Sequence, residues 1–279
     1  MNHLCWHKPR LVILGSKVEA LSDSHPLKSF CLLLLSRLFS KVGNLEGRKR
    51  VLIHGLGIWR ERGNDYRVAE TLTELSDANR VMGLYKEGIQ QATEASEIFG
   101  RLGATRGQAF CLTSLARLLH QGKQLDAAEQ VASRAMDLSE NRNQFTLCQC
   151  HEVLGAVHQS RGNTEKTIHH FETSLQIASA LNFRDRVFEG HLSLAGLYFQ
   201  EGRFDEACTH VEHAKLHTGN SMLLLGRAFT ISACALFGHN RFEEAKSEAL
   251  RALAVLEKLG IANMVEANRQ LLDEIQKKI

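Results

Sequence analysis

The chain has 279 residues, of which 44% are hydrophobic and 23% are charged. That length suits one large domain or two ordinary ones, and the apolar content can build a core, which excludes disordered and fibrous chains. The 34 Lys and Arg residues nearly balance the 31 Asp and Glu residues, so the charge gives no sign of nucleic-acid binding. No proline follows Pro26, and this scarcity favours long helices over turn-rich β architectures.

Cysteine usage and apolar runs bear on the compartment. Seven cysteines are an odd number, and several lie in apolar periodic stretches, where free thiols pack as small hydrophobes. The longest apolar run, residues 30–35, is far below the roughly 20 residues of a membrane span. Residues 11–14 are too short for the core of a signal peptide. We therefore expect a soluble protein of the reducing cytoplasm, with no membrane partner.

A repeat of 38 to 40 residues runs along the chain. Its marker is an aromatic or aliphatic residue, replaced by Thr in one unit, and it recurs at Leu45, Tyr85, Leu125, Thr164, Phe204 and Phe242. A mostly small residue stands three positions later in most units, at Gly88, Ala128, Thr167, Ala207 and Ala245. A turn residue stands two positions earlier at Gly43, Gly83, Gly162, Gly202 and Asn240, whereas Gly122 is displaced by one. One register shared by so many units indicates a repeat architecture.

Each unit has the pattern of a helical hairpin. Apolar residues before the turn recur at helical spacing, as at Leu112, Leu115 and Leu119. Small residues after the turn let the two helices approach closely, and Gly supplies the left-handed backbone that ends the first helix. A single hairpin cannot bury both of its faces, so neighbouring hairpins must stack.

This pattern resembles the tetratricopeptide repeat (TPR), which has a small residue in helix A, Gly at the turn, and aromatic and Ala positions in helix B. The chain departs from that family in its longer repeat, in the absence of the helix A Trp and in the absence of a closing Pro. Repeats lengthened in this way are similar to those of kinesin light chains, of Leu-Gly-Asn-type scaffolds and of arrays at the C-termini of fungal NB-ARC or NACHT NLR-like proteins. The resemblance implies a right-handed all-α solenoid of about six hairpins.

The predicted boundaries follow from this register. The six repeats are expected at about 28–65, 66–104, 105–143, 144–183, 184–220 and 221–261. Residues 1–27 fit no repeat and are interpreted as a stub of a longer protein or a partial first helix. Residues 262–279 are predicted to form a capping helix, with Met264, Ala267, Leu271 and Ile275 on its inner face.

No catalytic motif stands out. The only closely spaced glycine run, at residues 55–57, lacks the remaining residues of a phosphate-binding loop. There is no Gly-x-Ser-x-Gly turn, and Cys148, Cys150 and His151 lack the second half of a metal motif. His210, His213 and His217 lie on one helix face, which we interpret as a solvated surface, with a metal site as the weaker alternative. We expect no enzyme activity and no cofactor.

In the TPR family, helix A lines the inner groove, and this resemblance selects a lane of partner-binding residues. In the first half, the lane reads Glu70, Thr73, Asp77, Arg80, Phe110, Thr113, Arg117 and His120. It continues through Gln149, Glu152, Gln159, Glu189, Leu192, Phe199, Arg227, Thr230 and Phe237. Because the first half is charged and the second half becomes apolar, we expect a segment with an acidic end and an apolar end.

The same lane argues against two partner classes known for the family. Pairs such as Thr73 and Asp77 stand where chaperone-tail binders have Lys and Asn, so a carboxylate clamp is not expected. The lane also lacks the ladder of Asn residues that characterises the Leu-Gly-Asn scaffolds. We therefore predict a non-catalytic scaffold that binds a protein or peptide segment of unknown identity. The alternative is the detached C-terminal sensor or regulatory arm of a STAND-type (NB-ARC or NACHT) NTPase, whose NTPase domain would then be the partner.

Overall fold

A computed structural model describes residues 16–18, 20–140, 143–219 and 221–279. Most of the predicted stub, residues 1–15 and 19, lies outside the described residues, as do residues 141, 142 and 220 near two predicted repeat ends. In chain order the helices are α1 (Lys28–Lys41), α2 (Leu45–Glu61), α3 (Asp65–Val81), α4 (Tyr85–Arg101), α5 (Thr105–Gln121), α6 (Leu125–Ser139), α7 (Gln144–Ser160), α8 (Thr164–Ala180), α9 (Arg184–Gln200), α10 (Phe204–Leu216), α11 (Met222–Gly238), α12 (Phe242–Leu259) and α13 (Ala262–Gln276). Up to α12, odd-numbered helices are helix A of a repeat and even-numbered helices are helix B.

Left-handed turn residues follow the helix ends, and short polar side chains cap the start of some helices. The side chains of Asn44 and Asn64 accept hydrogen bonds from the backbone N–H of the third following residue, at 2.9 and 3.1 Å. At the opposite ends, residues with positive φ close the turns: Gly43, Gly63, Gly83, Gly103, Lys123, Gly162, Asn182, Gly202, Gly219, Asn240 and Gly260. In the third repeat this residue is Lys123, with a φ of 63°, and not the predicted Gly122, whose φ is −75°. Lys123 stands two positions before Leu125, so the turn of the third repeat keeps the same position relative to helix B as the turns of the other repeats.

The chain divides into two compact units, and the first ends at Val157 within α7. In this unit α1 packs on α2, α3 on α4 and α5 on α6, and each of the first two hairpins packs on the next. Fully buried alanines of the B helices, such as Ala95 and Ala135, lie against larger side chains such as Leu72 and Leu118. This alternation of small and large side chains is what allows the helices to pack closely.

The second unit begins at His158. Here α8 packs on α9, the hairpins α9–α10 and α11–α12 pack on each other, and α13 packs on α12. The interior includes Phe188, Leu194, Leu256 and Ile275, each with no accessible surface. Among the described helices, none is long and apolar enough to span a bilayer.

The last helix, α13, buries a slightly different face from the predicted one. Val265, Asn268 and Ile275 are buried, and Met264 and Leu271 are partly buried. Ala267, which was expected on the inner face, is exposed. The reason is that Asn268 points inward, where its Nδ2 donates to Thr230 Oγ1 on α11 at 2.9 Å.

Candidate partner-binding surface

The predicted lane lies along the A helices α3, α5, α7, α9 and α11, but burial divides its residues. Four of them are buried in the packing between helices: Thr73, Thr113, Gln149 and Leu192. The Thr73 hydroxyl donates to the Ala69 carbonyl of its own helix at 2.8 Å, and Thr113 does the same toward Ala109 at 2.9 Å. Thr113, Gln149 and Leu192 offer almost no surface to a partner, because helical periodicity places one position in each turn under the neighbouring helix. We therefore remove these three residues from the candidate surface, whereas Thr73 still lines a cleft on the first unit.

The charged part of the lane in the first unit consists of paired residues. Arg80 Nη2 donates to Asp77 Oδ1 at 2.9 Å, and the nearly buried Arg48 reaches Asp77 Oδ2 at 3.1 Å. Arg117 donates to Glu152 at 3.3 Å. Burial of Asp77 opposes its ionisation, but Arg80 and Arg48 outweigh it and keep the pKa of Asp77 below its usual value. Arg80 and Arg117 are thus already engaged within the fold.

A cleft of about 340 Å³ opens on the first unit. It is lined by residues of several helices: Arg37, Tyr66, Glu70, Thr73, Glu74, Phe99, Arg106, Gly107, Phe110, Asn143, Phe145 and Thr146. Glu70, Thr73 and Phe110 belong to the predicted lane, and the cleft thus joins part of that lane to residues outside it. Its volume lies within the range of sites that hold a small ligand or a few side chains.

Aromatic rings form the apolar wall of the cleft. The rings of Tyr66 and Phe99 meet edge to face, with centroids 5.5 Å apart. Phe99 is buried, whereas Tyr66 and Phe110 are 50% and 41% exposed and can still lose surface to a partner. Gly107 makes this arrangement possible, because a Cβ there would lie 2.8 Å from the Phe99 ring. The wall therefore presents exposed aromatic surface, from Tyr66 and Phe110, at the opening of the cleft.

The polar rim of the cleft carries two arginines, Arg37 and Arg106, and two glutamates, Glu70 and Glu74, so its formal charges balance. Arg106 is exposed, and its side chain forms no ion pair or hydrogen bond within the described ranges. Arg37 is half exposed and stands 3.7 Å from Glu74 and 4.0 Å from Glu70. Each of these carboxylates already has a closer arginine, Arg48 beside Glu74 and Arg67 beside Glu70. Arg106 thus remains available to an incoming anion, and Arg37 stands beside it with only long contacts to carboxylates that other arginines already hold.

Three cleft residues, Tyr66, Arg106 and Phe145, were not part of the lane predicted from the sequence. Each of them is the second residue of its A helix, in α3, α5 and α7. A large side chain recurring at this position is a signal that the sequence contains. The predicted lane does not include this position, because the lane contains only positions further along helix A.

The second unit presents a separate inner face with its own aromatic residues. Phe199 is 38% exposed and meets Phe204 edge to face at 5.7 Å, and Phe237 lies 5.7 Å from Phe242. Arg227 binds Glu189 through two hydrogen bonds, one of them 2.9 Å long from Nη2 to Oε2. The lane residues Gln159 and Thr230 are partly exposed on this unit, and His120 is partly exposed on the first.

The histidines and cysteines do not form a metal site within the described part of the chain, where no three donors are placed to hold an ion. Cys148 and Cys150 are buried, and burial raises the pKa of the Cys150 thiol to about 11, so it stays protonated. His210, His213 and His217 do not simply cover a solvated face as predicted, because they gather around His191 of α9. The alternative of a metal site on these histidines finds no support in the geometry.

No protein-family model matches the sequence, and no curated protein matches it either. Solved structures do match. A Rap protein complexed with competence and sporulation factor has a TM-score of 0.70 and 15% identity, over 97% of this chain and 80% of that one. The Rap conjugation gene regulator of plasmid pLS20, in complex with the Phr* peptide, has a TM-score of 0.65 and 15% identity. This match covers 91% of this chain and 76% of that one.

A third similar structure belongs to a larger protein. It is a Signal Transduction ATPase with Numerous Domains (STAND) protein with a tetratricopeptide repeat sensor, from Pyrococcus horikoshii. Its TM-score is 0.70 at 14% identity, and the match covers 96% of this chain but only 40% of that one. Identities this low establish the fold alone. The expected all-α class is confirmed: this chain has the TPR-type helical repeat fold.

Proposed function

We propose that this chain is a non-catalytic scaffold that binds a peptide or protein segment on its A-helix surface, with the cleft of the first unit as the anchoring subsite. The observation that carries the proposal is the combination of an open aromatic wall, formed by Tyr66, Phe99 and Phe110, with the unpaired Arg106 at its rim. Apolar pockets with a few convergent polar groups are the usual form of a binding site. The two similar Rap proteins, solved with a factor and with a peptide, support a partner of this kind.

The chemistry of the cleft indicates what the segment carries. A bulky apolar side chain fits against the Phe99 and Phe110 rings, and a carboxylate beside it pairs with Arg106 and Arg37. Aromatic and Arg residues supply most of the energy in protein interfaces, at about 2 kcal/mol or more for each anchor. The paired lane residues Asp77, Arg80 and Arg117 contribute less, because their charges are already satisfied.

The test is a selection of peptides from a random library displayed on phage. A double variant, Phe110→Ala with Arg106→Ala, serves in counter-selection to remove peptides that bind elsewhere. For the selected peptides, we expect Phe110→Ala and Arg106→Ala each to weaken binding at least tenfold in calorimetry, about 1.4 kcal/mol. Gly107→Ala should weaken it as well, because the new methyl group would lie 2.8 Å from the Phe99 ring and the ring, which lines the cleft, would have to move.

Two exposed residues of the outer B helices provide matched controls. Lys86→Ala on α4 removes a charge as Arg106→Ala does, and Ile53→Ala on α2 removes apolar surface as Phe110→Ala does. Neither should change the affinity. If counter-selection leaves no enriched peptide, or if the enriched peptides bind the cleft variants as tightly as the original chain, the proposal is contradicted.

One observation favours a second candidate, the sensor arm of a STAND-type NTPase. The repeat array matches a STAND protein over 96% of this chain and 40% of that one, the proportion expected if the array were one part of a larger machine. The test is the genomic reading frame upstream of this sequence. A phosphate-binding loop followed by an NTPase domain in the same frame supports this candidate, and an unrelated upstream gene contradicts it.

A further inference from the structure

Four histidines of the second unit form a cluster that the sequence spacing only partly reveals. His191 is on α9, and its ring centroid lies 5.2 Å from that of His210, 5.1 Å from His213 and 6.3 Å from His217. The three partners follow one face of α10 and its C-terminal cap. His191 is only 9% exposed, so the cluster closes over a buried imidazole between two helices.

The closest contact in this cluster limits how many protons it can hold. The Nδ1 atoms of His191 and His210 are 3.0 Å apart. A hydrogen bond between two imidazole nitrogens needs one N–H donor and one bare acceptor, so both atoms cannot carry a proton at this distance. Protonating both rings would therefore replace an attraction between α9 and α10 with a repulsion.

The surrounding charges offer little compensation. Among the residues that the structure describes, the titratable groups that act on His191 are the three other histidines of the cluster. The carboxylate of Glu206 favours the charged form of His210, but it already accepts two hydrogen bonds from Arg203, at 2.9 and 2.7 Å. Additional protons on the cluster would therefore remain largely unpaired.

The other elements packed against α9 add one anion, Glu172, and one cation, Arg227, and α9 itself adds Arg184. From α8, Glu172 acts on Tyr198, whose ring stacks on His210 at 5.3 Å. From α11, Arg227 is already engaged with Glu189, and Arg184 at the start of α9 lines a cavity together with His217. These groups do not provide His191 with a free carboxylate partner.

We propose that the contact between His191 and His210, enclosed by His213 and His217, forms a pH-sensitive switch, which holds α9 against α10 when the two rings are neutral and loosens this hairpin when the surroundings acidify. The proposal is independent of the peptide-binding function. Loosening of α9 would also displace Glu189 and Phe199, because α9 carries these two residues of the inner face of the second unit.

The direction of the pH effect follows from the protonation of the buried ring. Burial, together with the three neighbouring histidines, lowers the pKa of His191 to about 4 from an ordinary value near 6.5. The unfolded chain then binds a proton that the folded chain does not, so the folded state loses stability as the pH falls from about 6.5 toward about 4. For this one site, the unfolding equilibrium constant of the second unit should rise about tenfold between pH ~7.5 and pH ~5.5, where most carboxylates stay ionised.

The test compares chemical unfolding at these two pH values in the presence of a chelator, for the intact chain and two variants. His191→Asn removes the titrating ring but keeps a polar group near the Nδ1 position, and it should lose most of the tenfold pH effect. His169→Asn on α8, which removes an exposed histidine of the same unit, should retain it. Hydrogen exchange of the intact chain, corrected for the intrinsic effect of pH, should accelerate at the lower pH in residues 184–217.

A second measurement keeps the proposal testable if His191→Asn does not fold. In the intact chain, the ring signals of His191 in a two-dimensional NMR titration should have a midpoint below about 5. A midpoint at or above about 6.5 overturns the proposal. So does an equal pH dependence of unfolding in the intact chain and in His191→Asn.

Discussion

Phe188 and Phe204 show how burial separates two aromatic residues of similar appearance in the sequence. Phe188 has no accessible surface and packs with Leu192, Ala214 and Ala228. Phe204 marks the start of α10 as the repeat predicts, but it is only half buried, with its ring against Phe199. The repeat position therefore identifies where helix B begins and does not identify the strongest core anchor.

This difference makes a residue-scale prediction. Phe188→Ala should lower the free energy of unfolding by about 3–5 kcal/mol, because the cavity it leaves is closed on all sides. Phe204→Ala should cost less, about 1–3 kcal/mol, since part of the ring already faces solvent. Urea unfolding followed by circular dichroism measures both. A larger loss for Phe204→Ala than for Phe188→Ala would contradict the assignment of the core.

At the scale of the helical hairpin, the turn residue decides how helix A ends. Gly83 and Lys123 occupy equivalent turns and have φ values of 76° and 63°. Both are exposed, and a Cβ at Gly83 would meet nothing within 4 Å. The left-handed backbone costs a side-chain-bearing residue about 1–2 kcal/mol, so Lys123 is held there by the packing of the helices on either side.

Exchanging the two residue types tests this reading of the turns. Lys123→Gly should raise the free energy of unfolding by about 0.5–1 kcal/mol, the relieved strain being partly offset by the larger entropy of glycine in the unfolded chain. Gly83→Lys should lower it by about 1 kcal/mol. Chemical denaturation of the two variants gives the sign directly. If both exchanges changed the free energy of unfolding in the same direction, the side chains and not the backbone would dominate at these turns.

At the scale of the whole molecule, a repeat stack needs a terminal element with a polar outer side. We expect α13 to serve as this element in the second unit, since its Val265 joins the cluster of Leu253 and Leu256 on α12. Ile275, with no accessible surface, contributes to a second cluster with Leu236. Its outward positions carry charged residues such as Glu266 and Arg269.

Deletion of residues 262–279 should therefore expose the apolar side of the last repeat. We expect a lower melting temperature and self-association, which light scattering after gel filtration would detect. Deletion of residues 277–279 alone, which follow the helix and are exposed, is the matched control and should change neither property. An unchanged melting temperature and mass after the longer deletion would show that α13 does not act as a cap.

Part of the candidate site was accessible from the sequence. The lane register placed Glu70, Phe110 and Phe199 on one face of the A helices, because the spacing within one helix fixes which positions share a face, and all three keep exposed surface. It could not distinguish them from Thr113 and Gln149, which the neighbouring helix covers. Burial of this kind depends on the distance and angle between two helices, which no single helix encodes.

The sequence by itself determined the helix type, the order of the helices and the register of the turns, since apolar periodicity and turn residues act over a few neighbouring positions. The tertiary structure decided which charges are paired, as for Arg117 with Glu152, and which are left over, as for Arg106. It also brought His191 from α9 into the histidine face of α10. These features involve residues that are distant in sequence. The packing of one helix on another sets the distances between their side chains, and these distances determine the chemistry.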